Sequence, residues 1–394
     1  MSDKQSARAS AMRFIICLGF VSLFADMTYE GAYSITGPFL KGLGATAIEV
    51  GFIAGLGEMF AASLRFFSGK LADRTRAYWP IVIAGYTLNL FVIPALAFVG
   101  TWQAAALLIV TERTGKALRG PARDVLLSEA TNEVGHGWGF GLHAAMDQTG
   151  AVIGPLLMVA AVAHWRRFGP AFLPLAIPAA LTLIMIVLAR SVHPNKGTPP
   201  RVPASQDLPR VFWLYIIAAG VLACGFIDFP LLSYHLQSTG VVKPEVIPLL
   251  YAGAMGVNGA AALLFGRLFD RHGIIILAGG ILVSLFSLPL GFLGGPFAVA
   301  AGVACWGIGL GVQDASLRSG IAQVVSMNKR GGAFGAFNGV YGVMWFLGSV
   351  VMGFLYSRSR PALVIFGITF QLAAAIFFFW LRRPLAAAIE AKEE

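Results

Sequence analysis

The feature that most constrains this chain is a recurring apolar run about 20 residues long. A helix rises 1.5 Å per residue, so a hydrocarbon core of about 30 Å takes about 20 apolar residues to cross. Such runs fall at 12–39, 48–68, 78–99, 103–126, 138–163 and 170–190, and again at 211–236, 246–266, 274–294, 297–322, 332–355 and 362–382. Twelve runs of this length predict an all-α membrane protein with twelve transmembrane helices. Composition agrees: 57% of the 394 residues are hydrophobic and 12% charged, against about 25% charged in a soluble domain.

A net charge of +10 raises the question of nucleic acid. The basic residues, however, form short clusters between apolar runs, the pattern of membrane loops, and nucleic acid is not an expected partner. Cys17, Cys224 and Cys305 all lie within apolar runs and form neither a disulfide framework nor a metal cluster, so no cofactor or metal is expected. The first apolar run follows the polar, basic stretch "MSDKQSARASAMR". It is too long for a signal-peptide core and carries Asp26 and Glu30, so it reads as an uncleaved first span. With the N-terminus inside, the outside loops carry only Lys41, Arg166, Arg167, Lys243, Arg358 and Arg360, far fewer cations than the inside segments. That asymmetry places both termini of this multi-pass protein in the cytoplasm.

The stretch "RSVHPNKGTPPRVPASQDLPR", 190–210, is rich in proline and polar residues and separates 1–189 from 211–394. The two halves echo each other. "GKLADR" at 69–74 recurs as "GRLFDR" at 266–271, "FAD" at 24–26 matches "FID" at 226–228, and "FGLHAAMDQTGAVIG" at 140–154 aligns loosely with "FGAFNGVYGVMWFLG" at 334–348. Two six-span repeats suit a transporter, with a substrate site near the midplane between the halves.

Over essentially its whole length the sequence resembles the major facilitator superfamily. "GKLADRTR" is similar to the loop motif that superfamily carries between helices 2 and 3, with Gly69, Leu71, Asp73 and Arg74 in place. The usual second glycine and basic pair are absent, since "TRAYWP" follows. The resemblance implies two pseudo-symmetric six-helix bundles whose helices 1, 4, 7 and 10 line a central cavity. It also implies that Gly69, Asp73 and Arg74, with Gly266, Asp270 and Arg271 in the second half, act as conformational latches and not as ligands. "GAVIGP" resembles part of a glycine–proline motif of antiporters; Gly150, Gly154 and Pro155 match, and their spacing suits close helix packing. "ERTGKALRGPARDVLLSEA" and "RGGAFGAFNGVYGVMWFLGS" resemble a prokaryotic permease branch that brings no substrate with it.

The fourth span is the anomaly. It carries Glu112, Arg113, Lys116, Arg119, Arg123 and Asp124. At 100° per residue, Glu112, Lys116, Arg119 and Arg123 fall within a stripe of about 60°. A charge at the membrane centre costs about 2.5–3.5 kcal/mol even on a lenient scale, so Glu112, Arg113, Lys116 and Arg119 facing lipid would cost on the order of 10 kcal/mol or more. The stripe must therefore line a wet cavity or meet countercharges. The first span offers them on one face with Asp26, Tyr29, Glu30 and Tyr33. The seventh span offers Asp228 and His235, the tenth Gln313, Asp314 and Arg318, and the fifth His143 and Asp147. Arg123 and Asp124 are read as interfacial or structural, and His143 equally as gate, packing residue or proton carrier.

The expected function is secondary active transport of a small anionic or zwitterionic molecule by alternating access. Lys116, Arg119, Arg318, Tyr29, Tyr33 and Gln313 would bind substrate, and Asp26, Glu30, Glu112, Arg113 and Asp228 would couple it to protons. The competing readings are proton-driven efflux of drugs or amphipathic compounds, with the stripe as an internal salt-bridge network, and a lipid transporter. No "GxxxxGK[ST]" loop points to a primary pump. The dispersed His136, His143, His164, His193, His235 and His272 supply no enzyme motif. The expected partners are a small-molecule substrate, protons and the bilayer, and the expected state is a monomer.

Overall fold

A computed structural model describes residues 2–192, 208–325 and 330–393; most of the linker expected at 190–210 lies outside these. Among the described residues every regular element is helical. In the first half these are α1 (Ser2–Gly42), α2 (Ala47–Thr75), α3 (Tyr78–Ala95), α4 (Trp102–Val134), α5 (His136–Trp165) and α6 (Ala176–Val192), with short 3₁₀ turns at Leu96–Phe98 and Pro170–Leu175. In the second they are α7 (Arg210–Gly225), α8 (Phe229–Thr239), α9 (Val246–His272), α10 (Ile275–Ser284), α11 (Ser287–Leu293), α12 (Pro296–Val324), α13 (Arg330–Arg358) and α14 (Arg360–Glu393).

Eleven segments among the described residues are long and apolar enough to cross a membrane. α4 is the twelfth: its 33 residues suffice in length, and only its charges set it apart. Large apolar side chains on the outer faces, such as Phe98 (80% exposed), Leu263 (76%) and Phe297 (94%), meet lipid where a soluble protein would meet water.

Two expected spans are each built from two helices. α7 and α8 together form the span Arg210–Thr239, and α10 and α11 the span Ile275–Leu293. The break after Gly225 has a local cause. Pro230 has no N–H and its ring excludes the carbonyl four residues back, that of Phe226, so the helix restarts. Carbonyls exposed at the break find side chains instead: Gln371 Nε2 donates to Gly225 O at 2.9 Å and Trp306 Nε1 donates to Ile227 O at 2.8 Å. In a bilayer such replacement is obligatory, because no water is at hand.

Pro121 shows the opposite outcome. It too cannot donate to the carbonyl four residues back, that of Ala117, yet α4 runs through it. Ser68 of α2 supplies the missing donor, its Oγ lying 2.8 Å from Ala117 O.

By backbone contact the chain forms two compact units that do not follow the sequence halves. One comprises Met1–Gly44, Leu64–Pro200 and Pro244–Ala252; the other comprises Ala45–Ser63, Arg201–Lys243 and Gly253–Glu394. In the first unit, glycines set the helix spacing. A Cβ on Gly150 would collide with the carbonyl of Leu23 and one on Gly154 with that of Met27, so α5 lies directly on α1. Gly85 and Gly115 do the same for α3 and α4: a Cβ on Gly115 would sit 2.6 Å from Asn89 N. In the second unit Gly348 of α13 presses on the carbonyl of Cys224 in α7, as its repeat counterpart Gly154 presses on α1. Tyr215 of α7, buried beside Phe378, donates to Leu317 O at 2.9 Å and ties α7 to α12.

Gly154→Ala should overpack the α1–α5 seam and cost about 1–3 kcal/mol, read as a lower melting temperature. Gly120→Ala, whose new methyl meets nothing within 4 Å, should gain about 0.5–1 kcal/mol from reduced backbone freedom. Equal effects of the two would mean that the glycine seam does not set the packing. Ser68→Ala should cost about 1–3 kcal/mol by orphaning the Ala117 carbonyl. Pro121→Ala in the same molecule should recover most of that loss, since alanine restores the helix's own donor; no recovery would disprove the compensation.

Candidate functional site

The charged stripe of α4 is neutralised inside the first unit. Lys116 Nζ lies 3.5 Å from Glu30 Oε1 and 3.8 Å above the Tyr29 ring. Glu30 Oε2 accepts a 2.5 Å hydrogen bond from the hydroxyl of Tyr251, at the start of α9. Lys116 and Glu30 keep about a fifth of their side-chain surface open, 20% and 17%. A desolvated cation–π contact contributes about 2 kcal/mol. Added to the ion pair, it offsets the 2.5–3.5 kcal/mol or so that a central charge costs.

Arg119 is held differently. Only 2% exposed, its guanidinium stands 4.1 Å from the Tyr86 ring centre and 5.4 Å from that of Tyr29. Its Nε has no hydrogen-bond partner. The rings of α1 and α3 thus enclose a planar cation that no carboxylate clamps among the described residues. Arg113 lies over Tyr33 at 4.7 Å and 3.3 Å from Glu112. Glu112 turns toward α3, where Asn89 Nδ2 donates to its Oε1 at 2.7 Å and to its backbone carbonyl at 3.2 Å.

A second set of polar groups lies where α1 meets α5, with Ser22, Asp26 and His143 buried. Asp26, 4% exposed, sits in the field of Asp147, Lys116, Glu30 and Arg119. One oxygen of Asp26 and one of Asp147 have no hydrogen-bond partner. Ser22 Oγ lies 2.9 Å from His143 Nε2 and accepts from Arg123 Nη1 at 3.3 Å; Arg123 in turn pairs with Asp124 at 2.8 Å. The glycine seam explains the proximity, since a Cβ on Gly150 would stand 3.0 Å from that of Asp26.

The second unit holds the remaining expected residues. Asp228, at the break between α7 and α8, is 1% exposed. It accepts from Trp345 Nε1 at 2.6 Å and from the Ser349 hydroxyl. Gln313 accepts from the Tyr341 hydroxyl at 2.8 Å, and Asp314 accepts from Asn258 at 3.3 Å. Asp314 and Arg318 lie on the exposed side of α12, and both act on Tyr341 together with Glu58 and Asp228.

The structure therefore gathers Asp26, Tyr29, Glu30, Tyr33, Glu112, Arg113, Lys116 and Arg119 in one unit. It gathers Asp228, Gln313 and Arg318 around Tyr341 in the other. The expected loop motifs are instead helical, the last turns of α2 and α9; there Gly69 passes Pro121 and Gly266 passes Ala315, each with room for a methyl at 3.7 Å, while Arg74, Asp270 and Arg271 are exposed. The side chain of Asp73 lies outside the described residues. Pro155 continues the Gly150–Gly154 seam within α5. Sequence reasoning missed Tyr251, Asn89 and Tyr86. A lone asparagine inside the apolar run "YTLNLFVIP" was the available signal for Asn89; nothing in the sequence marked the two tyrosines.

Comparison with known proteins accords with this architecture. An uncharacterised protein of Mycobacterium tuberculosis is 39% identical over 96% of this chain and 95% of its own. The multidrug resistance protein MdtH of Proteus mirabilis is 23% identical over 70% and 68%. The crystal structure of the peptide transporter POT in complex with sulfate superimposes with a TM-score of 0.75 at 13% identity, covering 96% of this chain and 95% of that one. The sequence model of the Major Facilitator Superfamily matches residues 15–349 and 229–394. The chain belongs to the major facilitator superfamily of membrane transporters, a family of multi-pass carriers and not of enzymes.

Proposed function

We propose that this chain is a proton-coupled secondary transporter of a small anionic or zwitterionic solute. It would work by alternating access of the bundles 1–189 and 211–394, as a monomer in a bacterial inner membrane with both termini in the cytoplasm. The observation that carries the proposal is the Lys116–Glu30 pair, partly open and shared with Tyr29 and Tyr251. An incoming carboxylate or phosphate competes with Glu30 for Lys116. Two carboxylates as close as Glu30 and Asp26 are not both ionised once the cation is drawn away, so one takes up a proton. Solute and proton are then linked through a cation that both need, with no contact between them. The unpartnered oxygens of Asp26 and Asp147 offer places for that proton. Glu112 and Arg113 would adjust the field around it, and Asp228 is the proposed proton-coupling carboxylate of the other unit. Arg119 supplies a second positive centre, and its planar fork suits a carboxylate or phosphate. Tyr33 completes the solute contacts of this unit, and Gln313 and Arg318 are the proposed solute contacts of the other unit.

A specific observation favours a second reading, export of amphipathic compounds. Three of the α4 cations already have a carboxylate within 4 Å: Lys116 with Glu30, Arg113 with Glu112 and Arg123 with Asp124. The relatives also include a multidrug resistance protein. In that case the stripe would be an internal network and the solute would owe it nothing.

A thermal-shift screen of organic anions, drugs and lipids on the purified protein should identify the solute as an anion or zwitterion. Lys116→Ala should weaken its binding by about tenfold or more, since a charge-assisted contact contributes about 1.5–3 kcal/mol. Arg119→Lys should not be silent either. Undiminished binding by both Lys116→Ala and Arg119→Ala would make the stripe structural and favour the export of amphipathic compounds.

Coupling is tested separately in proteoliposomes. Glu30→Gln or Asp26→Asn should abolish accumulation driven by a pH gradient while leaving solute-for-solute exchange intact. Accumulation against the gradient by both variants would remove proton coupling from α1.

A further inference from the structure

The second unit contains a cavity that none of the transport chemistry uses. It measures about 250 Å³ and lies where α9, α10, α12 and α14 converge, lined by Phe269, His272, Ile275, Gln323, Arg382 and Leu385 among others. Its position is set by local chain geometry. Gly273 adopts φ +67° and closes α9 by donating to Phe269 O at 2.7 Å, a conformation that glycine takes without strain. The chain thereby turns sharply enough for Ile275 to start α10 at the cavity wall. α10 begins with no side-chain cap, so its N-terminus adds partial positive charge at the same place.

The lining divides by chemistry. Phe269 and Leu385 are buried and apolar, and Ile275 is 39% exposed. Arg382, Gln323 and His272 form the polar part. The Arg382 guanidinium is steadied at 4.0 Å over the Phe379 ring. His272 Nδ1 bonds the Leu268 carbonyl at 3.2 Å, which leaves Nε2 unclaimed by that bond. Next in sequence to the lining residues His272 and Arg382 are Arg271 and Arg383, with Asp270 the acidic neighbour on α9; all three are exposed. The spans formed by α9 and α14 end at His272 and Ala386, and that of α10 and α11 starts at Ile275. The cavity therefore lies at a membrane boundary, at the depth of lipid phosphates. A basic pocket between helix ends, with an apolar flank leading into the bilayer, has the chemistry of an anionic-lipid site.

We propose that this cavity holds the phosphate headgroup of an anionic phospholipid. Arg382 and the α10 N-terminus face the phosphate, Gln323 and His272 the glycerol end of the headgroup, and an acyl chain runs along Ile275 and Leu385. The volume accommodates a headgroup and excludes a whole lipid, so the chains remain in the bilayer.

The test uses the full-length protein, purified and stripped of lipid, titrated with phosphatidylglycerol, with phosphatidylethanolamine and with inorganic phosphate. Melting temperature is the readout. Phosphatidylglycerol should raise it saturably, and phosphatidylethanolamine and phosphate should not match it. Arg382→Ala, and separately Arg382→Gln in case the alanine variant folds poorly, should weaken the apparent affinity about tenfold. Arg358→Ala should leave it unchanged: Arg358 also lies over a phenylalanine, Phe354 at 5.4 Å, but does not line the cavity. Equal loss in the Arg358 and Arg382 variants would reduce the effect to diffuse surface charge. Equal stabilisation by inorganic phosphate would make the ligand a free anion. Either outcome, or no response to phosphatidylglycerol, overturns the proposal.

Discussion

A helix that carries Arg113, Lys116 and Arg119 through a membrane has to be neutralised along its length, and the first unit is arranged around that need. Lys116 meets a carboxylate and a ring, Arg113 a carboxylate and a ring, and Arg119 two rings. Around them α3 packs closely on α4 and α5 on α1. The glycines at 85, 115, 150 and 154 provide that closeness. Without Gly85 and Gly115, α3 would be held away from α4 and Tyr86 from Arg119, and charges left facing lipid would cost on the order of 10 kcal/mol.

The neutralisation is uneven, and the unevenness is what suits transport. Arg119 is sealed between aromatic faces, whereas Lys116 shares a pair about one-fifth open, in which Glu30 also serves Tyr251. A pair of that kind can be opened by a competing anion at modest cost, because each partner keeps a second contact. Interactions with equal affinity for both states would shift nothing. In the proposed cycle, a cation that trades one anion for another as the surroundings change would supply the required difference.

Much of the fold was legible because lipid imposes a simple code of length and polarity. Twelve apolar runs and the recurrence of "GKLADR" as "GRLFDR" are direct outcomes of that code. The juxtaposition of Lys116 with Glu30 was legible as well, since uncompensated charge in a bilayer needs a partner at matching depth. The break in the seventh span was not. Hydropathy averages over Pro230, and the side chains that satisfy the exposed carbonyls, Trp306 and Gln371, are distant in sequence. Tyr251 was hidden for the same reason: its role depends on a contact with Glu30, 221 positions away. The repeat itself proved architectural more than chemical. Asp26 and Asp228 occupy matching positions, yet one keeps an unpartnered oxygen while the other is closed off by Trp345 and Ser349.

The central claim is that solute and proton share the cation of Lys116 and therefore move in linked amounts. Its most direct test records both fluxes at once in wild-type proteoliposomes with the membrane potential clamped and a pH dye trapped inside. The solute is an anion that raises the melting temperature of the purified protein. A fixed ratio of protons to solute, constant as the solute concentration is varied, is the expected result. Solute flux with no change in trapped pH would contradict the claim.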